Sequence, residues 1–156
     1  MKVASVLIAF TSMSGNTEEM ADIMEQTLEE KGVEVTKLQI DIDQLDVFTM
    51  TDYDGILMGT YTWGDGDIPY EIEDFYDELD DIELDGKPVA LFGSCDSIYA
   101  SYGAAIDTFQ EKFKERGAEI ALETLKVDLS PEDEDIRNCQ EFAASFASVI
   151  EKERSL

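Results

Sequence analysis

The segment Thr11-Ser12-Met13-Ser14-Gly15-Asn16-Thr17 places four hydroxyls, an amide and a glycine between an apolar run and an amphipathic one. A helix leaves its first amides unpaired, so such a segment at a helix start has the chemistry of an anion site. Gly15 lets the backbone wrap closely around a phosphate. Neither Lys nor Arg lies in the segment, so it is not a Walker-type nucleotide loop, which needs Gly-Lys-Ser or Gly-Lys-Thr. The same residues also read as a hydroxyl-rich helix start with no ligand, and the segment by itself does not separate the two.

Two further segments carry aromatic groups. Tyr61-Thr62-Trp63-Gly64-Asp65-Gly66-Asp67 holds the chain's one tryptophan. A large aromatic on a Gly/Asp turn has little to pack against, so it can serve as a stacking wall for a flat ligand or fold back as a lid on the next helix. Ser94-Cys95-Asp96-Ser97-Ile98-Tyr99-Ala100-Ser101-Tyr102-Gly103 offers Tyr99 and Tyr102 as a second wall. The amides around Cys95 and Asp96 can meet a polar ring edge. Singly, each tyrosine reads as a surface aromatic. Jointly, a phosphate cradle with two aromatic turns describes a site for a planar heterocycle with a phosphate tail.

Alternating apolar patterns supply the elements that must position these segments. Val3 to Phe10 is a near-continuous apolar run, as in a strand buried on both faces. Thr17 to Lys31 predicts a helix with Met20, Ile23, Met24 and Leu28 on one face and Gly32 as its stop. Val33 to Ile40 predicts a second strand, followed by a loop rich in Asp, and Gly55 to Thr60 a third. Pro69 opens a short helix with Ile72, Phe75, Tyr76 and Leu79 at helical spacing. Pro88 to Gly93 is a fourth strand, Ala105 to Arg116 a helix, and Ile120 to Val127 a fifth strand. Ser130-Pro131-Glu132-Asp133 starts the last helix, whose stripe is Ile136, Cys139, Ala143, Phe146 and Ile150.

Strands alternating with helices predict an α/β fold, a three-layer sandwich with a parallel sheet covered on both faces. Five strands in 156 residues fit the order 2-1-3-4-5, which puts ligands at the carboxyl ends of the strands where the order reverses. The loops after strands one, three and four lie there. Neither repeat nor linker interrupts the pattern, so residues 1–156 are expected to form a single domain.

Composition narrows the function. A net charge of −26 with only 11 Lys and Arg argues against nucleic acid and against anionic membrane surfaces. The acidity suits either solubility or steering towards basic partner proteins. The absence of histidine removes imidazole catalysis and most transition-metal sites, and no metal is expected. Cys95 and Cys139 fit no metal spacing and read as two reduced thiols. No run approaches a membrane span, and Met1-Lys2-Val3-Ala4 leads straight into a strand with no cleavage site, so a cytoplasmic monomer is expected.

Taken together these residues resemble the flavodoxin family over the whole chain. Ser12-Met13-Ser14-Gly15-Asn16-Thr17 is similar to the family's phosphate loop for flavin mononucleotide (FMN). Thr62-Trp63-Gly64-Asp65 is similar to its inner flavin-stacking loop, and Asp96-Ser97-Ile98-Tyr99 to its outer one. The uninterrupted fifth strand resembles the short-chain branch. The 2-1-3-4-5 order is the one flavodoxins themselves exemplify, so it locates the site without adding to the likeness.

The resemblance implies a flavodoxin-like fold and a one-electron carrier cycling mainly between semiquinone and hydroquinone, with no substrate of its own. It implies phosphate binding by Ser12, Ser14, Asn16, Thr17 and the loop amides, and a ring held between Trp63 and Tyr99. The amides near Cys95 and Asp96 would meet the pyrimidine edge, and Cys95 would then be a backbone contact and no redox thiol. The Gly64 peptide would turn over on one-electron reduction. Tyr61 departs from the small hydroxyl residue that some members place near the ribityl chain. The implied partners are basic docking surfaces of redox proteins: a ferredoxin/flavodoxin–NADP reductase as donor, and cytochrome P450, nitric oxide synthase or desaturase acceptors.

Carboxylates such as Asp65, Asp67 and Asp96 would disfavour the anionic fully reduced flavin. One such charge at ~8 Å and an effective dielectric of ~40 costs roughly 1 kcal/mol, about 40 mV for one electron. A response-regulator receiver shares the fold class, but Thr11-Ser12 and Thr60-Tyr61 stand where it needs acids. A flavodoxin-like activator of ribonucleotide reductase and an FMN-dependent quinone reductase remain as alternatives.

Overall fold

A computed structural model describes residues 3–64, 66–98 and 101–154. Its elements in chain order are β1 (Ser5–Phe10), α1 (Asn16–Glu30), β2 (Glu34–Gln39), β3 (Gly55–Gly59), α2 (Glu73–Glu78), β4 (Pro88–Cys95), α3 (Ala104–Glu115), β5 (Glu119–Ile120), β6 (Leu125–Asp128) and α4 (Asp133–Arg154). All strand pairs are parallel, and the sheet order is β2-β1-β3-β4-β5 with β6 also pairing with β4.

Strand side chains alternate between faces, and that parity sorts the core into two clusters. Leu7 and Ala9 of β1, Ile56 and Met58 of β3, and Val89 and Leu91 of β4 join the cluster with Phe75 of α2 and Phe109 and Phe113 of α3. Val6, Ile8, Phe10, Leu57, Ala90 and Phe92 join the other, with Met20, Met24 and Leu28 of α1 and Phe142, Phe146 and Ile150 of α4. The sheet is thus covered on both faces, as its near-continuous apolar runs predict.

Four differences from the sequence-based reading have local causes. The fifth strand is two short pieces, because four residues, 121–124, stand opposite Ala90 and Leu91 between the pairs Val89↔Ile120 and Phe92↔Leu125. The surplus bulges out of the ladder. β4 runs to Cys95, two residues past Gly93, because Ser94 pairs with Val127 and Cys95 with Asp128. The helix after Pro69 is three pieces: a 3-10 turn at Tyr70–Ile72, α2, and a 3-10 turn at Leu79–Asp81. Glu73 and Asp74 suit the dipole in its first turn, but Asp77 and Glu78 oppose it at the other end with no base to offset them, and the acids repel one another, so it does not lengthen. In the Asp-rich loop, Asp46 accepts from the Phe48 amide at 3.0 Å and starts a 3-10 turn, Val47–Asp52, which buries Val47 and Met50.

Candidate functional site

β1, β3 and β4 end side by side, so the three chemistry-bearing segments leave the sheet from one edge. The first is a turn built on Ser12, whose Oγ accepts from the Gly15 amide at 3.1 Å and the Glu18 amide at 3.4 Å. Gly15 precedes α1 at φ +92°, a left-handed conformation in which a side chain is strained. The amides of Ser14, Asn16 and Thr17 find no acceptor among the described residues. Ser14 and Met13 are exposed, and Asn16 is half-buried. With no carboxylate among residues 12–17, this donor set fits a phosphate ester.

Thr17 points the other way. It is fully buried, and its hydroxyl lies 2.8 Å from that of Ser94. Parity explains the meeting: Ser94 follows Ala90 and Phe92 onto the face that α1 covers. Cys95 falls on the opposite face with Val89 and Leu91. Both were expected in the loop; both are instead the buried end of β4. Burial first, partly offset by the Tyr102 hydroxyl and Lys126, pushes the Cys95 thiol up to about 11, so it is protonated at neutral pH.

The second segment is a closed turn. Trp63 and Asp67 exchange backbone hydrogen bonds of 2.8 and 2.9 Å, which hold the turn between them. Trp63 is 50% exposed at its rim. Gly64 has φ +52° with open space around it, whereas a Cβ on Gly66 would meet Ser101 Cβ at 2.9 Å. That close approach packs the second segment against the third. Thr62 Oγ1 accepts from the Ala105 amide at 3.3 Å, tying the same turn to α3.

In the third segment the Asp96 carboxylate accepts from the Ile98 amide at 3.0 Å. Ser97 donates its amide and hydroxyl to Asp128 at 3.0 and 2.7 Å, and these bonds hold that carboxyl below its usual range. Ile98 is 80% exposed. Tyr102 is half-buried against the α2/α3 cluster, where burial and Cys95 raise its phenol to about 12. Asp65 and Tyr99, expected beside the ring, lie outside the described residues.

Two residues that sequence reasoning missed also support the site. Asp128 anchors the Ser97 turn, and Glu71 Oε1 accepts from Thr11 Oγ1 at 2.9 Å and Tyr61 Oη at 2.6 Å. For Asp128 the only signal is its place at the end of a strand; for Glu71 there is none, since it is one acid among many in its segment.

The arrangement has close counterparts. The flavodoxin family model matches residues 8–142. "Probable flavodoxin 1" of Bacillus subtilis (strain 168) is 44% identical, covering 97% of this chain and 98% of the relative. "Probable flavodoxin 2" of the same organism is 43% identical over 93% and 95%. The crystal structure of oxidised Flavodoxin 1 from Bacillus cereus superposes with a TM-score of 0.90 at 49% identity, covering 93% of this chain and 98% of that one. Among the described residues no helix is long and apolar enough to cross a membrane. Fold, strand order, turn chemistry and these relatives agree that the chain belongs to the flavodoxin family, in its short-chain branch.

Proposed function

We propose that this flavodoxin is a low-potential one-electron carrier that works through non-covalently bound FMN, cycling mainly between its one-electron-reduced and fully reduced forms. The observation that carries the reading is the carboxylate-free turn at 12–17, with amides left unpaired, at the same sheet edge as a half-exposed Trp63. The first feature suits the phosphate and the second a flat ring. FMN supplies the group that takes up and releases electrons.

In this reading Ser12, Ser14 and Asn16, with the amides of Ser14, Asn16 and Thr17, hold the phosphate. Gly15 opens the backbone for it, and the Thr17–Ser94 pair fixes the turn from below. Trp63 and Tyr99 flank the ring, while Thr62, Gly64 and Asp65 face its inner edge. The amides of Cys95 and Asp96 meet its polar edge, and Tyr102 supports that loop from the core side. The protonated, buried Cys95 thiol fits a backbone role and not a redox one. Two buried free thiols, Cys95 and Cys139, suit a reducing compartment and so the cytoplasm.

A net charge of −26 supports partners with basic docking surfaces, such as a ferredoxin/flavodoxin–NADP reductase as donor and cytochrome P450, nitric oxide synthase or desaturase acceptors. Electron transfer to such partners is expected to slow as salt is added. The relatives carry the flavodoxin name and favour neither the ribonucleotide reductase activator nor the quinone reductase.

The test is a visible spectrum recorded during anaerobic stepwise reduction of the purified protein. A yellow protein that turns blue at one electron and pales at two supports the carrier. Bleaching in a single two-electron step replaces it with a two-electron reductase, and a chain that stays colourless with FMN added overturns it.

A further inference from the structure

Thr11 directly follows β1 and is fully buried. By parity with Leu7 and Ala9 its side chain falls on the face covered by α2 and α3, although the next residues turn towards α1 on the other face. There it donates to Glu71 Oε1, the same oxygen that takes the Tyr61 hydroxyl. One carboxylate oxygen therefore joins the residue before Ser12 to the residue before Thr62. It does so from a third element, the 3-10 turn Tyr70–Ile72.

The next tie inward is the strand ladder itself, where the Thr11 amide donates to the Gly59 carbonyl at 3.0 Å. Beyond that point, no hydrogen bond joins residues 12–17 to residues 61–67 among the described residues. The Glu71 oxygen is thus the outermost link between the phosphate turn and the Trp63 turn. Both donors are neutral hydroxyls and the acceptor is a carboxylate, the pairing that gives short, well-directed bonds.

We propose that Glu71 is a positioning residue of the cofactor site. By holding Thr11 and Tyr61 on one oxygen, it sets the separation of the phosphate turn from the ring wall, and with it the preference for FMN over riboflavin. A flavin anchored at both ends needs that separation held; riboflavin, without the phosphate, engages the ring wall and not the turn. The inference deepens the FMN reading and rests on it.

The full-length protein, freed of flavin, is titrated with FMN and with riboflavin, and the ratio of the two dissociation constants is compared among variants. Glu71→Ala is expected to weaken FMN about tenfold, the scale of a lost hydrogen bond to a charged group, and riboflavin several times less. Glu71→Gln keeps an oxygen that accepts both hydroxyls, and it is expected to restore the wild-type ratio. A Glu71→Ala ratio equal to wild type overturns the proposal. So does a Glu71→Gln ratio as far from wild type as that of Glu71→Ala, since an accepting oxygen in that place would then not be what sets the preference. If Glu71→Ala does not fold, Tyr61→Phe removes one of the two ties, and an unchanged ratio there overturns the proposal equally. Wild-type protein that binds neither flavin would instead sink the FMN reading itself.

Discussion

The hydroxyls of Thr17 and Ser94 stand 2.8 Å apart in the buried seam between the first turn of α1 and the end of β4. One donates to the other, so the accepting hydroxyl keeps its own proton for a further partner. Thr17→Val strands the Ser94 hydroxyl in the core and is expected to cost about 1–3 kcal/mol in urea unfolding. Ser94→Ala strands Thr17 with a similar loss. The double variant removes both polar groups and should lose less than the sum of the two. Strict additivity would mean that the pair does not interact.

Gly64 has φ +52° and no atom within 4 Å of where a Cβ would stand. Gly64→Ala therefore meets backbone strain but no clash, and about 1 kcal/mol of stability should be lost. If the Gly64 peptide turns over on one-electron reduction, as the family resemblance implies, it should turn less readily in this variant. The first reduction potential and the yield of the one-electron form are expected to fall together in a spectroscopic titration. An unaltered yield would take the Gly64 peptide out of the mechanism.

Asp67 is exposed, and Asp96 uses its Oδ1 to accept from the Ile98 amide. Asparagine keeps a carbonyl oxygen for that bond, so Asp67→Asn and Asp96→Asn remove charge with little change of shape. Each is expected to raise the potential of the second electron by tens of millivolts, on the order of 40 mV for a charge ~8 Å away. Potentials that do not move would show that solvent screens these carboxylates from the ring.

Alkaline pH should unfold the protein through its thiols. Burial raises Cys95 to about 11 and Cys139 to about 12, from an ordinary 9.0. The native state keeps these protons longer than the unfolded chain does. Their contribution is therefore whole below about pH 9 and is lost as pH rises towards 11 and 12. Tyr102, raised to about 12 by burial, acts in the same direction from about pH 10 upward. Urea midpoints measured from pH 8 to 11 should fall, and fall less for Cys139→Ala relative to its own value at pH 8.

The central strands are legible in sequence because burial on both faces writes itself as an apolar run, as in Val6 to Phe10. The three chemistry-bearing segments are legible because their residue types are unlike their surroundings. What escapes is anything set by register between distant segments. Thr11 meets Glu71 across 60 residues, and Ser97 meets Asp128 across 31. The end of β4 escapes for the same reason, since Ser94 and Cys95 are strand only because Val127 and Asp128 stand beside them. Glu71 is one of 37 acids, and nothing in its neighbours sets it apart until the strands are folded.

The bulge at 121–124 reaches beyond local geometry. Sheet edges invite strands from other molecules, and a long, straight edge is the most inviting. Here the outer margin beside β4 offers a two-residue piece, a detour, and a four-residue piece. An incoming chain finds no sustained row of amides and carbonyls to match. The two surplus residues thus act, at this margin, as a guard against edge-to-edge pairing with a strand of another molecule.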